Sequence, residues 1–314
     1  MFFIPQQKWR RRVIAYKAIG CLPFAEKIMD VARLLTGTSR EQQGHSGPIR
    51  QMQQMLQRSD KSVKGKRLLE IGAGWQPVLP VLFYGMGADS ILMSDIVKHM
   101  KKSYVEATVR YFIDHAQEIA GLTSISQDDL ELRWRKMLPS SGNWVKQWHD
   151  LGITYIAPFD MTMSKLPMAS FDMIYSYSCM NYIPLIQLRR IFSESTRLLV
   201  SSGWIAHNIH VYDDLPSSEL EKWNFLCFSE KEWNRIGNCR LHYQNRLRPS
   251  SYAALAQENG FRVAYSEMLP LGVPIGSLDR AKLDEEFKCL PDEEILCGHF
   301  LLVAEKVSNS TKIP

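Results

Sequence analysis

With 314 residues, of which 45% are hydrophobic and 23% charged, the chain is long and apolar enough to bury a full core, which excludes a disordered protein. Five of its 38 basic residues lie in the first 20 positions, where no acid accompanies Lys8, Arg10, Arg11, Arg12 and Lys17. The remaining basic residues equal the 33 acidic ones in number, so the body of the chain is neutral. Because a nucleic-acid binder usually carries a basic face over its body, we expect no nucleic-acid partner.

The six cysteines are scattered without a C-x-x-C pair, so they indicate neither a metal site nor a disulfide framework. No apolar stretch approaches the roughly 20 residues that cross a bilayer. The start, "MFFIPQQKWRRR", places apolar residues before charges, which is the reverse of a signal peptide. These features predict a cytoplasmic protein.

Residues 6–60 have apolar positions at three- and four-residue spacing, which predicts a helical N-terminal extension. On a helix, Trp9, Val13 and Tyr16 share one face, and the basic side chains point away from it. Two interpretations stay open. The arm could be an interfacial helix that holds the protein at the inner face of a membrane, or a lid that packs on the protein's own sheet.

Strands and helices then alternate in the chain. Strands are predicted at 66–72, 90–96, 153–160, 171–178, 203–212, 261–268 and 299–306, with helices at 77–87, 101–120, 185–200 and 249–260. This order predicts an α/β, Rossmann-like, seven-stranded and mostly parallel sheet with helices on both faces. We divide the chain into the extension (1–60), a core (61–210), an inserted cap (211–248) and a segment that completes the sheet (249–314).

The stretch "LLEIGAGWQPVL" after the first strand predicts a ligand-binding turn at Gly72 and Gly74. A dinucleotide fingerprint needs a third glycine, but Pro77 stands at that position. Glu70 is poorly placed beside phosphates and well placed for an ammonium group. The turn therefore favours a cationic ligand over NAD.

Five stretches resemble, in order, the motifs of class I S-adenosylmethionine-dependent methyltransferases: "LLEIGAGW", "ILMSDI", "FDMTMSKLPMASFDMIYS", "SYSCMNYIP" and "STRLLVSSGWIAH". The resemblance implies S-adenosyl-L-methionine as cofactor, with Asp95 on the ribose hydroxyls, Asp160 on the adenine amino group and Met161 packed on the base. The cofactor-binding residues that it implies are Glu70, Gly72, Gly74, Trp75, Asp95, Ile96, Asp160, Met161 and Ser176. In "SYSCMNYIP", Asn181 and Tyr182 replace the usual Glu and His.

Three further stretches, "WNFLCFSEKEWNR", "YQNRLRPSSYAALAQENGF" and "AHNIHVYDD", are similar to a methyltransferase subgroup encoded with bacterial exopolysaccharide and lipopolysaccharide assembly. This similarity implies a role in polysaccharide biosynthesis. The expected acceptor is a small molecule or a glycan, and the expected reaction is O-methylation of a sugar hydroxyl.

A sugar hydroxyl benefits from a general base, and His207 and His210 at the end of the fifth strand are the candidates. Because side chains alternate along a strand, only one of them should face the site. Tyr182, Asn245 and Arg246 could orient the substrate, and Arg246 would suit a carboxylate or phosphate. Hydrogen bonding between cap and core is the alternative role for these three.

Two other functions stay open. The altered "SCMNY" segment keeps a catalytically inactive, methyltransferase-like binding protein in consideration, and a similar sheet would also serve an NAD-dependent oxidoreductase. Cys179 follows Ser178 and not a proline, which disfavours a covalent cysteine mechanism. The sequence leaves the oligomeric state open.

Overall fold

A computed structural model describes residues 14–15, 17–20, 22, 44–140, 142–214, 222–238, 243–272 and 278–307. Most of the predicted basic arm, with Trp9, Val13 and Tyr16, lies outside these residues, so membrane contact stays a prediction. Residues 14–15 and 17–20 are helical, and the Lys17 ammonium donates a hydrogen bond to the Arg235 carbonyl oxygen. In the described part of the chain, no helix is both long and apolar enough to span a bilayer.

The core is one seven-stranded sheet in the order β3-β2-β1-β4-β5-β7-β6. Its strands are β1 (Arg67–Ile71), β2 (Ser90–Ser94), β3 (Ile153–Ile156), β4 (Phe171–Tyr177), β5 (Leu199–His210), β6 (Phe261–Pro270) and β7 (Cys297–Lys306). β7 runs antiparallel to both of its neighbours, and the five strands from β3 to β5 are parallel. The predicted α/β, Rossmann-like, seven-stranded and mostly parallel sheet is confirmed.

Helices cover both faces of the sheet. They are α1 (Ser46–Arg58), α2 (Val78–Gly85), α3 (Lys102–Asp114), α4 (Ala116–Thr123), α5 (Gln127–Met137), α6 (Trp144–Asp150), α7 (Leu185–Leu198), α8 (Glu230–Ile236), α9 (Pro249–Glu258) and α10 (Asp292–Ile295). α1 to α6 pack on one face, here called the α1 face, and α7 and α9 pack on the other, the α7 face.

Side-chain alternation sorts each strand between these two cores. In β1, Leu68 packs in the core of the α1 face, whereas Leu69 and Ile71 pack in that of the α7 face. Glu70 therefore lies on the α1 face with Leu68.

The helix predicted at 101–120 is wrong as a single element, because the chain leaves helical geometry at His115. That residue has φ −111° and ψ 22°, and its ring stacks on Tyr111 at 4.0 Å between centroids. Its Nδ1 also lies 2.9 Å from the Tyr111 carbonyl oxygen. The His115 side chain thus stabilises a break in the helix at a position that has no glycine or proline. The next helices, α5 and α6, have Ser126 and Asn143 as N-caps, and the side chains of both accept from backbone N–H groups.

The inserted cap packs on a segment that the sequence placed elsewhere. Residues from 222–248 and from the β6–β7 connection form a third apolar cluster: Trp223, Phe225, Leu226, Trp233, Leu283, Phe287, Ile295 and Leu296. Two distant segments thus build the cap, which stands beside the end of β5, because the Val211 N–H donates to the Gly298 carbonyl oxygen at 2.9 Å.

Candidate active site

The carboxyl ends of β1 and β4 lie side by side where the strand order reverses, which is where open α/β sheets bind their ligands. The glycine turn follows β1, and Cys179 follows β4. Gly72 has φ +76° and Gly74 has φ +62°, a region that favours glycine. A Cβ built on Gly72 would lie 2.4 Å from Cys179 Sγ, so both backbone angle and space require glycine there.

Asp95 directly follows β2, and both of its carboxylate oxygens hold the turn. Oδ2 accepts from the Gly74 N–H at 2.8 Å, and Oδ1 accepts from the Val97 N–H at 2.9 Å. Its carbonyl oxygen accepts from the Phe159 N–H at 2.8 Å, which ties the end of β3 to that of β2. Since a carboxylate has about four lone-pair positions, Asp95 still has acceptor capacity for ligand hydroxyls.

Glu70 is the least satisfied polar side chain at this edge. It is 5% exposed, and no donor in the described residues reaches its Oε2. Burial, and then the negative charge of Asp95, raise the pKa of Glu70 to about 8. Tyr175, its partner in register on β4, also has a buried hydroxyl without a hydrogen bond among the described residues. The two groups place polar atoms without partners among the described residues at this edge, and a cation bound there would lower the pKa of Glu70.

Cys179 lies between the glycine turn and these acids. Burial, with the charges of Asp95 and Glu70, raises the pKa of its thiol to about 12. The thiol therefore stays protonated at neutral pH and is a poor nucleophile, in line with the sequence argument against covalent cysteine chemistry.

Trp75 and Ile96 flank the turn. The Trp75 ring stacks on His99 at 4.4 Å and meets Tyr104 edge-on at 6.0 Å, so it packs on the first turn of α3 and on the segment before it. Ile96, next to Asp95, is 69% exposed and leaves an apolar surface at the carboxyl edge of the sheet.

Asp160 and Met161 follow β3. Asp160 Oδ1 accepts from the Thr162 N–H at 2.8 Å and from the Thr162 hydroxyl at 2.7 Å, which starts the 3₁₀ turn Met161–Met163. Asp160 is exposed, whereas Met161 is buried in the core of the α7 face. The structure thus brings Asp95, Ile96 and Asp160 to the carboxyl edge of the sheet. The Met161 side chain lies next to them in the core of the α7 face.

Ser176 and His207 lie together, away from the α1 face. The Ser176 hydroxyl is 2.9 Å from His207 Nδ1, and the His207 ring meets Phe192 of α7 edge-on at 5.8 Å. Both residues are fully buried, and burial lowers the pKa of His207 to about 3. The structure does not bring this pair together with Glu70.

His210 lies on the α1 face at the end of β5 and belongs to a polar cluster with Asn181, Tyr182 and Asp214. Its Nε2 is 3.1 Å from Asp214 Oδ2 and 2.5 Å from Asn181 Nδ2. The Tyr182 hydroxyl donates to the same Asp214 oxygen, and the Tyr182 ring meets His210 edge-on at 5.3 Å. We call these four residues the His210 cluster. Because Tyr182 N–H donates to the Cys179 carbonyl oxygen at 3.0 Å, one short turn joins the cluster to the glycine turn.

α1 closes the same face through Gln51, a residue that no sequence motif indicated. Gln51 Oε1 accepts from the Tyr177 hydroxyl at 2.8 Å and from Asn208 Nδ2 at 2.9 Å. This contact joins the extension to the ends of β4 and β5. Asp214 was also missed, although it stands in the quoted stretch "AHNIHVYDD", four residues after His210.

Asn245 and Arg246 make contacts between cap and core. Asn245 Nδ2 donates to the carbonyl oxygens of Met180 and Ile183, each at 2.9 Å, and its Oδ1 accepts from the Tyr252 hydroxyl at 2.9 Å. Arg246 donates to the carbonyl oxygens of Phe225 and Phe228, with Glu286 Oε2 at 3.4 Å. These contacts agree with the alternative role stated for the two residues, and binding of substrate by either stays a prediction.

Comparison with known proteins finds solved structures that are similar to this chain. No family model matches the chain, and no curated protein matches it. An S-adenosylmethionine-dependent methyltransferase from Mesorhizobium loti is similar, with 15% identity over 84% of this chain and 100% of that chain and a TM-score of 0.45. A second, from Methanosarcina mazei, has 12% identity over 78% and 94% of the two chains and a TM-score of 0.43. Geranyl diphosphate C-methyltransferase from Streptomyces coelicolor, solved with S-adenosyl-L-homocysteine, has 12% identity over 82% and 80% and a TM-score of 0.42.

The buried carboxyl group of Glu70 predicts how the stability of the fold depends on pH. Because its pKa rises from an ordinary 4.5 to about 8 in the fold, the folded chain binds more protons than the unfolded chain between these values. Stability from this group is therefore full below about pH 4.5 and is lost as pH rises through about 8, by on the order of 4 kcal/mol. Urea unfolding should show that Glu70→Gln removes this slope.

The matched control is Glu258→Gln, which changes a half-exposed carboxylate on α9. It should keep the slope of the wild-type protein. Equal slopes for wild type and Glu70→Gln would contradict the buried, unpaired carboxyl group.

Proposed function

We propose that the chain is an S-adenosylmethionine-dependent methyltransferase that methylates a hydroxyl of a small-molecule or glycan acceptor. The observation that carries the proposal is the buried carboxyl group of Glu70 beside the glycine turn, whose Oε2 meets no donor among the described residues. Leaving such a group unpaired costs about 1–3 kcal/mol or more when charged. The ammonium of an amino-acid ligand would remove that cost.

The other residues of the edge fit the same ligand. Gly72 and Gly74 let the backbone approach it without a Cβ in the way. Asp95 supplies acceptors for ribose hydroxyls, and Ile96 and Asp160 stand on the side where a base would lie. When bound, S-adenosylmethionine supplies an electrophilic methyl group on a positively charged sulfur.

A nicotinamide dinucleotide suits this edge less well. Pro77 occupies the position of the third glycine and precedes α2, and Glu70 would face a pyrophosphate with a like charge. The oxidoreductase alternative therefore has no supporting contact. An inactive binding protein would keep the ligand site, and only the assay of transfer separates it from an enzyme.

The chain's own contribution to the reaction is position and proton removal. Holding the acceptor oxygen in line with the methyl carbon is worth roughly 7–11 kcal/mol in well-oriented systems. Of the two histidine candidates, His210 is our choice for the base, because it shares the α1 face with Glu70 and lies near Tyr182. His207 is buried on the other face, where burial lowers its pKa to about 3 and makes it a weak base.

A sugar hydroxyl is the acceptor that we favour, with polysaccharide biosynthesis as the setting. The support is the similarity of the cap and of "AHNIHVYDD" to the subgroup named above, together with the tyrosine, histidine and carboxylate groups of the His210 cluster. Tyr182 is 42% exposed, so an acceptor hydroxyl could reach it from solvent.

Ligand binding tests the cofactor. Isothermal titration should show that the full chain binds S-adenosylhomocysteine and does not bind NAD. Asp95→Ala should weaken binding of S-adenosylhomocysteine by on the order of 1.5–3 kcal/mol, because hydrogen bonds to a charged acceptor are lost. Asp150→Ala, at an exposed aspartate at the end of α6, is the control and should bind like wild type. Tight binding of NAD, or indifference to Asp95→Ala, would show that the proposal is wrong.

Methyl transfer tests the base. With labelled S-adenosylmethionine and a panel of methyl glycosides, His210→Gln should lower the rate by about 10²-fold or more. His207→Gln, on the same strand but the opposite face, should stay within about threefold of wild type once its folding is verified, since it contacts no reacting group. The assignment fails if both variants lose activity equally or if neither does.

A further inference from the structure

We propose that Asp214 accepts the acceptor's proton and passes it to His210, an inference that rests on the function proposed above. Asp214 lies in the segment that joins β5 to the cap. One of its oxygens, Oδ2, accepts from the Tyr182 hydroxyl and lies 3.1 Å from His210 Nε2. A single carboxylate oxygen thus joins the exposed tyrosine to the buried histidine.

The exposed fractions of the Tyr182, Asp214 and His210 side chains indicate the order in which an acceptor from solvent meets them. The His210 side chain is 5% exposed, whereas the Asp214 side chain is 28% exposed. An acceptor from solvent therefore meets Tyr182 and Asp214 before it meets His210. Asp214 is the group that would touch the acceptor, and His210 acts through it.

Asn181 gives the cluster two proton arrangements. Its Nδ2 lies 2.5 Å from His210 Nε2, so a neutral His210 accepts from this amide. After proton uptake, Nε2–H donates to Asp214 Oδ2 instead, over the 3.1 Å that already separates them. Since a ring nitrogen cannot accept from the amide and donate to the carboxylate at once, the first arrangement is the neutral Nδ1–H tautomer and the second carries a proton on Nε2. The Asn181 amide nitrogen cannot stay 2.5 Å from a protonated Nε2, so the amide moves or flips in the second arrangement.

The titratable and charged groups near His210 are Asp214, His299 and Lys222, of which Asp214 is the anion. His299 pairs with His210 across β5 and β7, and burial followed by the charges of His210 and Lys222 lowers the pKa of His299 to about 4. Lys222 itself lies 4.5 Å over the ring of Tyr212. Partial burial of the Tyr182 hydroxyl and the Asp214 charge raise the pKa of Tyr182, so its hydroxyl stays a donor.

The proton balance of the step is complete. The acceptor oxygen forms a bond to the methyl carbon as the carbon–sulfur bond breaks, and the sulfur keeps the electron pair and becomes a neutral thioether. The acceptor's proton leaves to Asp214 Oδ2 and moves on to His210 Nε2. The products in the site are a methyl ether and an imidazolium paired with a carboxylate, and bulk water later removes the proton.

NMR of the ligand-free, full-length protein with ¹⁵N-labelled histidines tests the connection without any acceptor. In acidic solution, wild type should show a slowly exchanging ring N–H signal, assigned to Nε2 of His210 by its loss in His210→Gln, because a hydrogen bond to the partly buried Asp214 carboxylate protects it. Asp214→Asn should abolish this signal or lower its protection at least about tenfold, since a neutral amide is a weaker acceptor than a carboxylate.

Tyr182→Phe is the matched control, since it removes the other hydrogen bond to Asp214 and leaves the carboxylate. It should retain the signal. If Tyr182→Phe and Asp214→Asn lose the signal equally, or if Asp214→Asn retains it, Asp214 only holds the tyrosine and the proposal is overturned. The calorimetry with S-adenosylhomocysteine is independent of this result, so a failure of the proposed function would appear there in wild type.

Discussion

The buried carboxyl group of Glu70 is the constraint on which the site depends. A strand carries it into the core of the sheet, where the glycine turn, Asp95 and Cys179 surround it and no described donor reaches its Oε2. A fold tolerates such a group only because its free energy is lower when protonated, which is what a pKa raised to about 8 means. A cation that binds at this point recovers the cost, so the same feature that lowers stability favours a ligand.

Side-chain alternation then decides which residues can act together. Glu70, Tyr175, Tyr177 and His210 lie on the α1 face, and Gln51 of α1 closes over the ends of β4 and β5. Ser176 and His207 lie on the opposite face, under α7. His210 and His207 are three positions apart on β5, yet His210 lies in a polar cluster and His207 is packed in apolar surroundings. The helix before the first strand is part of the site because it hydrogen-bonds to that face.

The sequence predicted the sheet from local signals, because most strands are apolar runs followed by a turn and β6 alternates partly buried and exposed residues. It could not predict the break at His115, which depends on ring stacking and not on a helix-breaking residue. Gln51 had no local signal, since its partners lie more than 100 positions away. Asn245 and Arg246 were selected for their chemistry, but their donors are directed to backbone carbonyls that only the folded cap brings near. The residue types of Asn245 and Arg246 indicated that they can donate hydrogen bonds, and the fold determined which carbonyl groups accept them.

Proton release on ligand binding tests the central claim most directly. Calorimetry of S-adenosylhomocysteine binding at about pH 7, in two buffers with different ionisation enthalpies, counts the protons exchanged. If Glu70 is protonated in the free protein and ionises beside the ligand ammonium, wild type should release roughly one proton and Glu70→Gln should release almost none. Binding without proton release, or equal release by both proteins, would contradict the account.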